Sequence, residues 1–282
     1  MLIHMIIFVI HSDKLVLLFI ENDEDSFKVG LPNMQYFTSD QPNQAIEWLY
    51  PDGVFDPKVA LNSVILSSTN EAVDKWNETI QEMNPNEKRR FEARDSFDEV
   101  DDEANILKNI LTDKVLSGYN KNGVPSHFLD FKIDDVCIVL RALPSLELAT
   151  NTRVQIVGFL EHSIKVKTLN EPTTRYICLP RITFKFRLQY GESYQLTRVQ
   201  IPLRLAYSMT YNKSQSQTLD RVLIDCTGEP FAHGHAYVAF SRVRNCKNVR
   251  VFVNEDQLHD SGIRPGEMMP VITNIVYQEI IK

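Results

Sequence analysis

Cysteine is scarce in this 282-residue chain: Cys137, Cys178, Cys226 and Cys246 are the only four, and they are widely separated. That spacing excludes a disulfide-stapled fold and a paired-cysteine zinc site, and it points to a reducing interior. Long apolar runs are missing too. His11, Ser12, Asp13 and Lys14 cut the stretch Leu2–Ile20 into Met5–Ile10 and Leu15–Ile20, each the length of a strand and too short to span a bilayer. No basic segment precedes these runs and no small-residue cleavage site closes them, so the expectation is a soluble intracellular protein without a leader or a membrane partner. None of the ten glycines is followed by lysine, and no G-x-G-x-x-G occurs. The chain therefore lacks both common phosphate-cradling loops. There is no G-x-S-x-G elbow for a hydrolytic serine. Cys226, His233, His235 and Cys246 match no familiar zinc spacing, so no metal is expected.

What is present is 43% apolar and 24% charged, enough for a real core in two folding units. Charge is unevenly placed. Residues 21–113 carry 21 acids against 8 bases, whereas residues 141–221 carry 12 bases against 5 acids. In the basic stretch Arg175, Tyr176, Arg181, Phe184, Lys185, Phe186, Arg187, Tyr190, Tyr194 and Arg198 interleave cations with rings. Guanidinium groups that neutralise phosphates beside rings that stack on bases describe a single-strand surface. The plainer alternative is a β-rich module whose outward face happens to be basic.

Hydrophobic periodicity organises the chain. Val64-Ile65-Leu66 reads as a buried strand, Ser67-Ser68-Thr69-Asn70 as a helix cap, and Val73, Trp76, Ile80 and Met83 as one helical face. Residues 84–105, with Pro85, Lys88-Arg89-Arg90 and Asp98–Glu103, read as a solvated loop and weak helix. From 131 to 188 the pattern turns to short strands, Val136–Leu140, Arg153–Phe159, Ile164–Thr168, Tyr176–Leu179 and Ile182–Phe186, which suggest a small barrel or a curled open sheet. After Pro202 comes a strand over Leu203–Thr210, a polar loop to Gln217, a strand Arg221–Asp225, a helix from about Gly234 to Arg242, and a strand Val249–Val253. A β module is thus inserted into an α/β domain. The expected division is 1–115, 116–197 for the module, and 198–282.

Residues 203–222, Leu-Arg-Leu-Ala-Tyr-Ser-Met-Thr-Tyr-Asn-Lys-Ser-Gln-Ser-Gln-Thr-Leu-Asp-Arg-Val, resemble the motif LA-x-x-M-T-x-N-K-S-Q-G-Q-T-L-D of Pif-type and Helitron-type DNA helicases. Residues 233–244, His-Gly-His-Ala-Tyr-Val-Ala-Phe-Ser-Arg-Val-Arg, resemble that family's final motif, HG-x-x-Y-V-A-L-S-R-V. Weaker likeness covers Val64–Asn77, Arg94-Asp95-Ser96 and Pro125–Leu143. The resemblance implies a RecA-like second motor lobe of a superfamily-one helicase, with a P-loop NTPase type of sheet and an inserted β-barrel-like module. It implies ATP with Mg²⁺, bound mainly by a first lobe absent from this sequence, and single-stranded DNA as partner. It further implies a monomer in the nucleus, acting in DNA repair, recombination and telomere maintenance. Arg242 is implied as the arginine finger that neutralises transition-state charge on the γ-phosphate. Ser216, Gln217 and Arg242 fall on the nucleotide side, and Thr210, Asn212, Lys213 and Ser214 on the DNA side.

The sequence departs from the family at several places, among them Thr150-Asn151-Thr152 where the family has N-G-T. Ser216 stands where the motif has glycine, adding a Cβ where backbone approaches phosphate. Ala142 replaces an asparagine, and Ile6 takes the place of an arginine that assists at the nucleotide. With the phosphate loop also missing, the chain is expected not to turn over ATP alone. The alternative is a non-catalytic single-stranded nucleic-acid binding module left from a degenerate helicase.

Overall fold

The computed structural model describes residues 5–10, 13–22, 26–32, 34–98, 118, 121–169, 174–187, 195–214, 219–228, 235–243, 245–261 and 266–275. The chain opens with β1 (Met5–Ile10), β2 (Asp13–Asn22), β3 (Ser26–Gly30) and β4 (Tyr36–Thr38). Helices α1 (Pro42–Leu49) and α2 (Pro57–Asn62) follow, each with a proline in its first turn, where a missing N–H costs nothing. The Asp56 carboxylate caps α2 by accepting from Lys58 N at 2.8 Å. Next come β5 (Ser63–Ser67) and α3 (Asn70–Glu82). Thr69 caps α3 through a 3.0 Å bond from Ala72 N to its Oγ1, as the hydroxyl-rich string predicts. The helix buries Val73, Trp76 and Ile80, but Met83, expected on the same face, lies past the helix end and is exposed.

The middle of the chain is all strand: β6 (Arg89–Glu92), β7 (Arg94–Asp98), β8 (Phe128–Phe131), β9 (Val136–Val139), β10 (Arg153–Phe159), β11 (Ser163–Thr168), β12 (Tyr176–Pro180), β13 (Ile182–Arg187), β14 (Gln195–Gln200) and β15 (Leu203–Leu205). The last part holds β16 (Ser208–Thr210), β17 (Arg221–Asp225), helix α4 (His235–Phe240), β18 (Val249–Val253), β19 (Leu258–Asp260) and β20 (Met268–Ile275).

These elements form two compact units, residues 1–80 with 207–282, and residues 81–206. The first unit is α/β. Its parallel sheet has the order β16-β5-β17-β18-β4. All five residues of β5 are buried, as expected for a parallel strand covered on both faces. Val64, Leu66, Val222, Ile224, Val249 and Val251 pack with Ala239 and Phe240 of α4 and with Val29, Leu31 and Ile272. On the other face Trp76 of α3 meets Phe252 edge to face, centroids 4.9 Å apart. An antiparallel sheet, β1-β2-β3-β20-β19, completes this unit.

The second unit is built from antiparallel strands. The sheet β12-β11-β10-β9-β15 carries a core of Val139, Val154, Ile156, Ile164, Val166 and Leu179. The expected fifth strand of that group, Ile182–Phe186, instead joins a separate sheet β13-β14-β7, and β6 pairs with β8. Residues 89–92 and 94–98 are thus strands, not a solvated loop. Buried Phe91 and Ala93 anchor them against partners more than thirty-five residues away, as Phe91↔Leu129 and Thr197↔Ser96 illustrate. The predicted continuous strand 203–210 is also two strands. It breaks at Ala206–Tyr207, where the Asn77 side-chain oxygen accepts from the amides of Tyr207 and Ser208 at 3.0 and 2.9 Å.

Candidate nucleotide and strand-contact site

In the first unit, β16 delivers the polar segment at the C-terminal edge of the parallel sheet, where open α/β sheets present their ligand-binding loops. Thr210 ends β16 and is half-buried. Residues Tyr211–Ser214 form one 3₁₀ turn. Tyr211 is buried, and its hydroxyl donates to the Asp225 carbonyl at 2.8 Å. Burial, with Cys226 and Asp225 nearby, pushes that phenol well above its ordinary pKa and keeps it a donor. Ser214 is fully buried and its hydroxyl donates to the Tyr211 carbonyl at 2.7 Å. It closes the turn, whereas Asn212 is exposed and Lys213 half-buried. Ser216 and Gln217 lie outside the described residues.

Arg242 lies two residues past the end of α4. Its Nε donates to the Val238 carbonyl at 2.8 Å and an Nη2 hydrogen to Ser241 Oγ at 2.7 Å. A guanidinium laid against the last turn satisfies orphan carbonyls and suits the negative end of a helix. The side chain is half-buried, not sunk in the core. Its backbone carbonyl accepts from Leu219 N at 2.9 Å, and Leu219 bridges Val243 in parallel. Leu219 is the first described residue after Ser214. The chain that resumes after the polar segment is therefore tied to the arginine segment at one point.

Behind this arrangement lies a cluster that spacing could not reveal. Asp225, buried at the end of β17, accepts at Oδ2 from Trp76 Nε1 (2.7 Å) and Ser67 Oγ (3.3 Å), and at Oδ1 from Thr227 N (3.1 Å) and Thr227 Oγ1 (2.7 Å). One carboxylate thus links β5, α3 and the chain leaving β17. The only sequence signal was an acid closing an apolar strand. Nearby, a cavity of about 310 Å³ opens beyond the ends of β17 and β18, with Lys28, Thr227, Asn254, Asp256 and His259 among its lining residues. Arg242 is not among them. Its inner amides are already used: Gln257 Nε2 donates to the Cys226 carbonyl and Gln257 Oε1 accepts from Asn254 N.

In the second unit, Asp95 of the segment Arg94-Asp95-Ser96 meets His127 of the segment beginning at Pro125. His127 Nδ1 lies 2.9 Å from Asp95 Oδ2. Arg198 grips the same carboxylate through Nε (2.9 Å) and Nη2 (2.8 Å), and its Nη1 donates to the Pro125 carbonyl at 3.1 Å. Arg198 is fully buried, as are Phe184 and Phe186 to within a few per cent. These three, expected on a strand-binding surface, are corrected to interior residues, because Phe184, Phe186 and the cross-strand partner Arg198 lie on the buried face of their sheet while Thr183, Lys185 and Arg187 take the exposed one. Tyr190 and Tyr194 lie outside the described residues. Tyr176 is the aromatic of that set with an exposed ring, 64% accessible.

No protein-family model matches the chain. Human ATP-dependent DNA helicase PIF1 is 29% identical over 204 residues, which is 71% of this chain and 28% of that protein. The rat protein of the same name is 34% identical over 119 residues, 41% of this chain and 18% of its own length. The chain thus spans less than a third of these curated relatives. A crystal structure of Pif1 helicase from Candida albicans superposes with a TM-score of 0.55 at 19% identity, covering 76% of this chain and 49% of that one. A Bacteroides Pif1 helicase structure in complex with ADP-AlF3 and single-stranded DNA gives a TM-score of 0.52 at 18% identity, covering 76% and 45%. In sequence and in its α/β fold, the chain is similar to Pif-type DNA helicases over most of its own length and a part of theirs.

Proposed function

We propose that this chain acts as the second, RecA-like motor lobe of a Pif-type ATP-dependent DNA helicase, with residues 81–206 containing the inserted β-barrel-like module. The ATP phosphates and Mg²⁺ are held by a first lobe that this sequence does not contain, and the product is unwinding of DNA in repair, recombination or telomere maintenance in the nucleus. The observation that carries this reading is the bond from Leu219 N to the Arg242 carbonyl. It supports a common edge for the polar loop and the arginine, where a strand and a nucleotide would be sensed together.

In this reading Asn212 and Lys213 hold phosphate oxygens of the strand without reading sequence. Ser214 and Tyr211 set the turn that presents them. Arg242, released from the carbonyl of Val238, swings toward the γ-phosphate and neutralises the charge that develops there. The test is ATP turnover by the purified chain with and without single-stranded DNA, together with strand binding. Negligible turnover and measurable binding that falls in Asn212→Ala/Lys213→Ala are expected. Robust turnover by this chain, or binding unaffected by that pair, overturns the proposal.

A further inference from the structure

In the second unit we infer a separate contact for single-stranded DNA on the outer face of β11 and β12, made by the ring of Tyr176 and the ammonium groups of Lys165 and Lys167. β12 ends its sheet, so among the described residues nothing pairs with its outer edge. The hairpin register sets Lys167 opposite Tyr176 and Lys165 opposite Cys178. Directly opposed residues share one face of a sheet, so both lysines, Tyr176 and Cys178 stand together. Lys165, Tyr176 and Cys178 are exposed, while Ile164, Val166 and Leu179 fill the core behind them.

The chemistry of the patch selects its occupant. Lys165 Nζ lies 5.7 Å from the Tyr176 ring centroid and has no carboxylate partner among the described residues; neither has Lys167. The two lysines stand about 6.8 Å apart along the strand. On the next strand Gly158 faces Lys165, and a Cβ added there would approach nothing nearer than Lys165 Cβ at 3.9 Å, so the surface beside the lysine is open. An exposed ring beside two cations offers stacking and phosphate contact at once, and does so without groups that read a base. Peptide ligands of acidic character would use the lysines but leave the ring without a stacking partner.

This inference shares with the proposed function the premise that the chain binds a single strand, and the test separates the two. Fluorescence anisotropy of labelled oligo-dT is measured across a salt series for the intact chain, Tyr176→Ala, Tyr176→Phe, Lys165→Gln/Lys167→Gln and Asn212→Ala/Lys213→Ala. Tyr176→Ala should weaken binding about tenfold, a single stacked base, while Tyr176→Phe keeps it. The lysine pair should lower the slope of log affinity against log salt by about 1.4. Wild-type affinity in Tyr176→Ala with an unchanged slope in the lysine pair overturns this inference and leaves the loop reading standing. Loss in the Tyr176 and lysine variants with no effect of Asn212→Ala/Lys213→Ala supports it and removes the loop reading. Absence of binding by the intact chain at low salt overturns both.

Discussion

Trp76→Phe isolates the bond that ties α3 to the end of β17. The indole Nε1 donates to Asp225 Oδ2 at 2.7 Å inside the first unit, and among the described residues the other donor to that oxygen is Ser67 Oγ at 3.3 Å. A hydrogen bond to a charged group contributes about 1.5–3 kcal/mol. The phenyl ring retains the edge-to-face contact with Phe252, so lost packing adds about 1 kcal/mol. The expected destabilisation is about 2.5–4 kcal/mol, the sum of those two contributions. Urea unfolding is read from the emission of Trp48, the tryptophan that remains in this variant and part of the same unit. A double-mutant cycle with Asp225→Asn separates the bond from the packing, with an expected coupling of about 1.5 kcal/mol or more. Additivity of the two changes to within about 0.5 kcal/mol would refute the assignment of Trp76 as the principal partner of this carboxylate. The consequence reaches the candidate site, because the Asp225 carbonyl also accepts from Tyr211. Weakening this anchor should loosen the turn that presents Asn212 and Lys213, seen as faster amide exchange there.

Thiol labelling and acid titration check two other parts of the structure. In a Cys246→Ser background, Cys178 should react quickly in the folded chain, while Cys137 and Cys226 react only on unfolding. Burial, reinforced by Asp135 and Asp225 respectively, pushes both thiols up and removes them from solvent; equal labelling rates for Cys226 and Cys178 would contradict this. The Arg90 guanidinium, bonded to Asp130 at 2.8 and 2.7 Å, holds the Asp130 carboxyl below its usual range. A carboxyl with a depressed folded value contributes stability above its unfolded value, about pH 3.9, and loses it as pH falls through the folded one. Asp130→Asn should therefore flatten the acid limb of a melting-temperature profile slightly, its partner Arg90 being largely exposed; an unchanged or steeper limb refutes the linkage.

Local pattern was enough where the physics is local. The apolar run Val64–Leu66, the hydroxyl cap before Asn70, the spacing of Val73, Trp76 and Ile80, and the strand Arg221–Asp225 were all legible, because a buried parallel strand and an amphipathic helix write their burial into consecutive residues. The two long motifs were legible for a different reason: their residues are contiguous. Arg242, expected at the end of a helix by its string of neighbours, lies two residues past a helix that stops at Phe240, its side chain bonded back to the Val238 carbonyl.

Tertiary structure alone decided which polar residues are interior. Asp225 and Trp76 are 149 residues apart and Asp95 and Arg198 are 103 apart, so no window of sequence contains both members of either pair. Arg198 looked like a phosphate contact because a cation's burial depends on a carboxylate that arrives from elsewhere in the chain. Phe184 and Phe186 alternate with Thr183 and Lys185, a pattern that defines two faces without saying which one meets the core. Register chose that face, turning those rings inward and leaving Tyr176 outside.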